Sequence, residues 1–294
     1  MKKISIENIL LFLTQRNIVF MSDKLFLKIL YKKYFGKRLN LKNPQTFNEK
    51  LQWLKLYNRK DIYTIMVDKY EAKKYVSNII GEKYIIPTLG IYERFESINF
   101  NELPNKFVMK CTHDSGGIII CRDKEKFNKK EARRKINKHL KTNYYYKGRE
   151  WPYKNVKPRI IIEEYIEQDD AKDLIDYKFM NFNGKVKCSF VCLNRNSQEG
   201  MNIDFYDADW HKMPIQRHYK NSNIILKKPK NYDLMIKLSE ELAKDIPFLR
   251  VDFYEIKEKV YFGELTFYPG SGIEEFTPTE WDDRFGDMLK LNNI

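Results

Sequence analysis

This 294-residue chain is short of the residues that build most metal and redox centres, with four cysteines and four histidines. Cys111, Cys121, Cys188 and Cys192 include no CxxC pair and no cysteine–histidine cluster at zinc spacing, which argues against a zinc module or a thiol redox motif. Cys188 and Cys192 fall on one face of an alternating run and read as small apolar core residues. No apolar run approaches the roughly 18 residues that span a bilayer. No apolar stretch followed by a small-residue cleavage site marks the N-terminus, so the expected compartment is the reducing cytoplasm. Acidic residues are also few: 40 against 54 basic ones, for a net charge of +14 and a pI near 9.3. That surplus favours nucleotide phosphates, acidic sugars, nucleic acid or a membrane surface without choosing among them. The lack of any finger, helix-turn-helix or RNP motif weighs against nucleic acid. At 43% hydrophobic and 32% charged, the composition is that of a soluble globular chain of one large domain or two to three packed subdomains.

The most informative stretch is FLRVDFYEIKEKVYFGELTFYPGSG, residues 248–272. Its two β-rich runs, joined by a charged connection, predict a hairpin. Arg250 and Asp252 stand two apart on the first strand, Glu264 and Thr266 two apart on the second, so each pair shares a face. In register, that surface carries two carboxylates, a guanidinium and a hydroxyl. Such a set suits magnesium, which takes one or two carboxylates plus phosphate oxygens, and YPGSG adds a turn with backbone N–H groups. The same pattern also describes a solvated face with a cross-strand ion pair of about 0.2–1 kcal/mol.

Along the chain, residues 1–60 read as helices. Their apolar and basic start, residues 4–34, fits either a helical pair packed on the domain or a membrane-surface segment. Ser22 or Asp23 is a plausible cap, and Thr46 with Glu49 forms a capping box before FNEKLQWLKLY, whose Phe47, Leu51, Leu54 and Lys55 stripe reads as core packing. One amphipathic helix is expected from Asp61 to Val76, gathering Asp68, Lys69 and Lys73. KYIIPTLGIYERFESI reads as a strand broken by Pro87 and Gly90. FVMKCTHDSGGIIIC predicts a strand ending in Lys110, a turn and a second, buried strand; Gly116 and Gly117 let the turn's amides face an anion. No Walker pattern is present. His113 and Asp114 either touch a ligand or form the turn. Residues 124–157 read as basic helix ending in a mobile, tyrosine-rich loop, NYYYKGREWPYKN, with aromatic and basic residues interleaved. PRIIIEEYIE runs a buried strand into Glu163 and Glu164, whose burial needs a partner. A hairpin turns at Asn183-Gly184 with Lys178 in its first strand. Residues 199–232 read as irregular and hold Asp207-Ala208-Asp209, and YDLMIKLSEELAKDI is an amphipathic helix.

Taken in order, VDK, FVMK with its glycine turn, IIIEEYI, KFMNFNGK, and RVD with ELTFYPGSG resemble the ATP-grasp superfamily over roughly residues 40–290. The most similar branch is the TupA-like proteins of polysaccharide biosynthesis, and NPQTFNEKLQWLK resembles the start of that branch. The resemblance implies an α+β fold of two subdomains clasping ATP: a helical extension over 1–60, a linker or pre-grasp segment over 61–105, and ATP-grasp subdomains over 106–170 and 171–294. It implies ATP and Mg²⁺ as cofactors. Lys69, Lys110 and the Gly116-Gly117 turn would meet the phosphates, with Lys178 near them. Glu163 would read the adenine amine, with hinge backbone at Glu164 and Ile166, and Asp169 or Asp170 would reach the ribose. Asp252 and Glu264 would bind metal, and Arg250 would stabilise an acyl phosphate. Many relatives carry asparagine where Thr266 stands, and a hydroxyl is the weaker second metal ligand. The implied activity is a carboxylate–amine ligase, in the cytoplasm or at the inner membrane face, joining an amine such as an amino acid to a uronic acid of a polysaccharide. Two alternatives remain open here: a nucleotide-sugar glycosyltransferase using Asp207 and Asp209, and a catalytically silent assembly factor.

Overall fold

Runs rich in large apolar residues set the strands, several of them buried over most of their length, and the helices cover the faces where apolar residues gather. The computed structural model describes residues 6–166, 175–194 and 200–291. The helices are α1 (Ile6–Gln15), α2 (Asp23–Phe35), α3 (Phe47–Tyr57), α4 (Ile62–Val67), α5 (Glu71–Ile80), α6 (Lys129–Leu140), α7 (Tyr145–Gly148), α8 (Tyr232–Leu242) and α9 (Glu280–Met288). The strands are β1 (Thr88–Tyr92), β2 (Phe107–Cys111), β3 (Ile118–Cys121), β4 (Ile160–Glu164), β5 (Asp176–Phe182), β6 (Lys185–Leu193), β7 (Asn202–Tyr206), β8 (Lys212–Met213), β9 (Gln216–Arg217), β10 (Phe248–Ile256), β11 (Lys259–Thr266) and β12 (Phe276–Thr277). A four-stranded antiparallel sheet runs β1-β4-β2-β3 and a six-stranded one β11-β10-β5-β6-β7-β8. The architecture is α+β.

Each sheet has its own core. In the first, Phe107, Met109, Ile160 and Ile162 pack with Ala132 and Ile136 of α6, which turns Val108, Lys110, Ile161 and Glu163 to the opposite face. In the second, Leu249, Val251 and Phe253 join Phe179, Tyr232 and Met235, and Phe179 meets Tyr232 at 5.3 Å between ring centroids. On the other face Phe248 packs against Phe47 at 4.9 Å, closing one end of what becomes a cleft. Cys188 and Cys192 are buried, as expected.

Local signals decide several boundaries. Thr46 and Glu49 form the capping box at α3, and Ser22 caps α2. Asn183 and Gly184 take positive φ angles of 49° and 79° to turn β5 into β6. Several expectations fail. The single helix over 61–76 is two, broken at Asp68, whose Oδ1 accepts from the N–H groups of Tyr70 (2.9 Å) and Glu71 (3.3 Å) and so starts α5 afresh. β3 is only half buried: Ile118 and Ile120 are 40% and 47% exposed, because they pair with Lys110 and Val108 on the face turned away from α6. The tyrosine-rich stretch is packed, with Tyr145 buried and the Tyr144 and Tyr153 rings 4.9 Å apart. Residues 202–206 form β7, whose alternation is masked by Asp204, fully buried and paired with Lys212 at 3.0 Å. The segment 61–105 is more than a linker, since β1 within it pairs with β4. Pro87 ends before β1 begins, and Gly90 lies inside that strand at a shift of register.

The N-terminal helices α1 and α2 pack around Leu11, Phe26, Leu27 and Leu30, while Ile6, Phe12 and Phe20 stay exposed. Among the described residues no helix is long and apolar enough to cross a membrane.

Candidate active site

The site grows from the pairing of β10. Asp252 stands opposite Glu264 of β11 and Lys178 of β5, and Arg250 opposite Thr266 and Met180. Period-two alternation therefore gathers Arg250, Asp252, Glu264, Thr266, Lys178 and Asp176 on one face. Arg250 grips Asp252 as a fork, Nε to Oδ1 at 2.7 Å and Nη2 to Oδ2 at 2.8 Å, and reaches Glu264 Oε1 at 2.6 Å. Lys178 Nζ pairs with both Asp252 and Asp176. Desolvating a lone carboxylate costs several kcal/mol; here forked and paired cations offset it. Burial raises the Asp252 carboxyl, with Arg250 and Lys178 pulling against it. Burial also acts to raise Glu264, but Arg250, Lys178 and Lys69 outweigh it and hold the carboxyl at about 2. Asp252 is 1% exposed, whereas the Glu264 side chain is 44% exposed, so Glu264 is the end of this network that meets solvent.

The facing wall comes from the first sheet and from the break between α4 and α5. Lys110 and Glu163 sit diagonally across β2 and β4, within reach of a long side chain, and form an ion pair. Lys73 of α5 pairs with the same carboxylate and donates to Ile86 O (2.6 Å) and Thr88 Oγ1 (2.9 Å). Burial acts to raise Glu163, yet Lys110 and Lys73 bring it below the ordinary carboxylate range. Lys69 projects from the helix break; its N–H donates to Thr112 O at 3.0 Å and its Nζ to the Asp114 carbonyl. The turn beneath needs glycine: a Cβ on Gly117 would fall 2.7 Å from Asp114 Oδ1 and 2.9 Å from Cys111 Cβ, and Gly116 has φ +102°.

Between these walls lies a cavity of about 260 Å³, with Lys69, Lys110, Gly116 and Gly117 on one side and Asp176, Lys178, Asp252 and Glu264 on the other. A small void of about 20 Å³ beside it is lined by Lys73, Glu163 and Phe262. A third cavity, of about 390 Å³, continues past Glu264 and is lined by Tyr144, Glu150, Tyr153, Arg250, Thr266 and Ser271 among others. The first cavity opposes a basic wall to an acidic one.

The residues expected at the site fall into three groups. Lys69, Lys110, Gly116, Gly117, Lys178, Asp252 and Glu264 surround the first cavity. Arg250 and Thr266 line the third, so Thr266 lies on the far side of Glu264 from the lysines. Glu163 has both its oxygens against lysine ammoniums, a geometry that favours holding Lys110 over reading a base. Glu164 is exposed, its N–H given to Pro87 O at 3.1 Å; Ile166 is half-buried. Asp169 and Asp170 lie outside the described residues. One of the YPGSG amides is spent, since Ser271 N donates to Tyr268 O at 2.8 Å, and just beyond the turn Ile273 N donates to Gly270 O at 3.2 Å. His113 and Asp114 are each 2% exposed. His113 Nε2 donates to the His139 and Thr142 carbonyls (3.2 and 3.1 Å) and Asp114 pairs with His139, so both brace the turn. Asp114 also lines both the 260 Å³ and the 390 Å³ cavity.

Sequence reasoning missed Asp176, although it stands two residues before Lys178 and the alternation applied to Arg250 and Asp252 would have found it. It also missed Lys55 and Glu150. Lys55 is fully buried, not a stem on a core stripe. Its Nζ donates to Gln52 Oε1 (3.1 Å), Gly148 O (2.8 Å), Ser271 O (2.8 Å) and Ser271 Oγ (2.9 Å). Burial brings its ammonium down to about 8, with Glu150 opposing, and burial pushes the Glu150 carboxyl up, against Lys55. Asp207 and Asp209 follow a strand after all, β7. Ligand atoms of Asp207, Asp209 and His211 lie within 4.8 Å of one another, but Asp207 Oδ1 is taken by the Asp209 and His211 N–H groups (3.0 and 2.8 Å). That turn sits three strands from β10.

The family model described as TupA-like ATPgrasp matches residues 49–290. No curated protein matches the chain. Among solved structures it is similar to a D-alanine–D-alanine ligase from Helicobacter pylori, at 13% identity and TM-score 0.45, over 83% of this chain and 68% of that one. A D-alanine–D-alanine ligase from Bacillus anthracis complexed with ATP matches at 18% identity and TM-score 0.41, over 76% and 63%. A biotin carboxylase from Campylobacter jejuni matches at 16% identity and TM-score 0.42, over 87% and 47%. The chain thus spans less than two thirds of the length of the last two.

Proposed function

Because the chain belongs to the TupA-like ATP-grasp family, we propose that it is an ATP- and Mg²⁺-dependent carboxylate–amine ligase working through an acyl phosphate. One observation carries this reading: a single cavity has Lys69, Lys110 and a glycine turn on one side and Asp252, Glu264 and Lys178 on the other. A magnesium–triphosphate has the same two-signed character. The donor set fits the metal, since Asp252 and Glu264 supply hard oxygen ligands side by side on paired strands. Bound there, magnesium would neutralise phosphate charge.

The chain's own residues supply the rest. Lys110 and Lys69 hold phosphate oxygens by charge-assisted donation. Glu163 and Lys73 fix Lys110 in place. A carboxylate substrate attacks the γ-phosphorus; its oxygen forms the new P–O bond while the bond to the β-phosphate bridging oxygen breaks and ADP leaves. Arg250, held rigid by Asp252, faces the third cavity and stabilises the oxyanion formed when an amine then attacks the acyl carbon. Rate comes from positioning, and no cysteine or serine nucleophile is required. For substrates we propose a uronic acid of a cell-surface polysaccharide and an amino acid or related amine, used in the cytoplasm, with the exposed apolar residues of α1 suited to the inner membrane face. Lys178 and Thr266 serve as phosphate-side cation and outlying oxygen donor, and Asp169 as the ribose contact.

The test is ADP release that needs both glucuronic acid or a polymer of it and an amine, alongside calorimetric titration with MgATP and with UDP-glucose. Binding of UDP-glucose in place of MgATP would favour glycosyl transfer at Asp207 and Asp209. MgATP binding with no turnover across a panel of uronic acids and amino acids would favour a silent assembly factor.

A further inference from the structure

The cavity of about 390 Å³ beyond Glu264 is the size of a small-molecule site. It shares Asp114, Ser115 and Glu264 with the triphosphate cavity, so a ligand in one adjoins a ligand in the other. Its walls are tyrosine rings and carboxylates: Tyr144, Tyr153 and Tyr268 with Glu150, Glu264 and Asp114. Among the described residues that line it the one cation is Arg250, already forked onto Asp252 and bonded to Glu264.

Glu150 is the unusual member. It is 5% exposed, and a buried carboxylate needs a cation or donors. Glu150 accepts from the Ser271 hydroxyl and feels the charge of Lys55, whose own donors go to Gln52, Gly148 and Ser271. The backbone is cut to fit: a Cβ on Gly148 would fall 2.1 Å from Ser271 Oγ and 3.5 Å from Glu150 Oε1. A carboxylate wall with aromatic faces binds cations, through charge and through the ring quadrupoles, and repels a uronate.

We propose, resting on the ligase reading above, that this cavity is the subsite for the amine nucleophile, with its ammonium held by Glu150 and enclosed by Tyr144, Tyr153 and Tyr268. The acidic sugar then enters from elsewhere and meets the amine at Arg250. In the coupling step the amine nitrogen bonds to the acyl carbon and the carbon–oxygen bond to phosphate breaks. Phosphate leaves with that electron pair and one proton from the nitrogen; the other proton the ammonium loses passes to Glu150 before the attack, freeing the nitrogen lone pair, and on to solvent. Glu150 contacts the substrate and is a catalytic residue in that sense, while Lys55 positions it through Ser271.

Saturation-transfer NMR on the full chain with MgADP present tests this, using glycinamide as cationic probe, acetamide as neutral one and glycolate as anionic one. Glycinamide should bind, acetamide and glycolate should not. Glu150→Gln and Tyr144→Leu should each weaken glycinamide at least tenfold, with Glu150→Asp recovering part of the loss. A calorimetric MgADP titration reports whether each variant is folded; if Glu150→Gln is not, Tyr144→Leu carries the test. Absence of glycinamide binding, preference for glycolate, or affinity unchanged in the folded variants overturns the assignment. Failure of the unaltered chain to bind MgATP at all would instead sink the ligase reading, with glycinamide binding still read separately.

Discussion

On the four-stranded side of the cleft two lysines, Lys73 and Lys110, share one carboxylate, Glu163. On the six-stranded side three carboxylates, Asp176, Asp252 and Glu264, share Arg250 and Lys178. Each wall nearly neutralises itself in its interior and leaves a surplus of one sign at the end facing the cavity. Side-chain exposure follows the same division: Glu163 is 5% exposed and Lys110 20%, Asp252 2% and Glu264 44%. The more buried member on each side also organises its neighbours, and the more exposed member is the first to meet a ligand. Opposed surpluses of this kind discriminate for a ligand that itself carries both signs, and against a bare cation or a bare anion.

The largest effect should come from the acidic contact. Glu264→Gln is expected to cut metal-dependent ADP formation about 10³-fold, the size of a lost transition-state charge contact, with an unchanged circular dichroism spectrum; retention of more than a tenth of the rate would break the comparison. The basic contact comes next. Lys110→Met should weaken MgATP about 10²-fold by calorimetry, since it removes a charged donor and strands part of Glu163. Its organiser should matter less and without regard to the base: Glu163→Gln is expected to lower ATP and GTP affinity alike, about tenfold. A change confined to the ATP-to-GTP ratio would restore Glu163 as a reader of adenine.

The smallest effect is one of pH. Glu264 is held at about 2 in the fold, below its usual value near 4.3, so its stabilising contribution is complete above that usual value and fades as pH falls through 2. The stability difference between the unaltered protein and Glu264→Gln, from urea denaturation, should therefore stay flat from pH 8 to 5 and shrink only in stronger acid. A difference that fades already near pH 6 would place Glu264 outside the cationic network.

How much of this was legible depended on sequence distance. Alternation in residues 248–266 put Arg250 with Asp252 and Glu264 with Thr266 on shared faces, but bringing Asp252 opposite Glu264 takes a shift of register between Asp252 and Phe253, which period two and a short turn do not announce. The capping box at Thr46 was equally local. The break at Asp68 was not, since that side chain is also claimed by Arg159, 91 residues away, at 2.8 Å. Lys55 looked like one more residue of a helix stripe because its acceptors lie 93 and 216 residues on. Glu150 was hidden for the same reason, inside a stretch whose tyrosines and lysines suggested a loop. Charge that is buried reveals itself only through partners, and these partners are far along the chain.

The Lys55 ammonium has a mechanical consequence. By bonding to α3, to Gly148 and to Ser271 at once, it clamps three remote segments into a single stiff block behind the tyrosine-lined cavity. Any breathing that admits nucleotide must then fall to the opposite flap, where a glycine-jointed hairpin offers the softer hinge. Amide hydrogen exchange would register this as common, slow opening at 148–153 and 268–273 beside fast opening at 114–118.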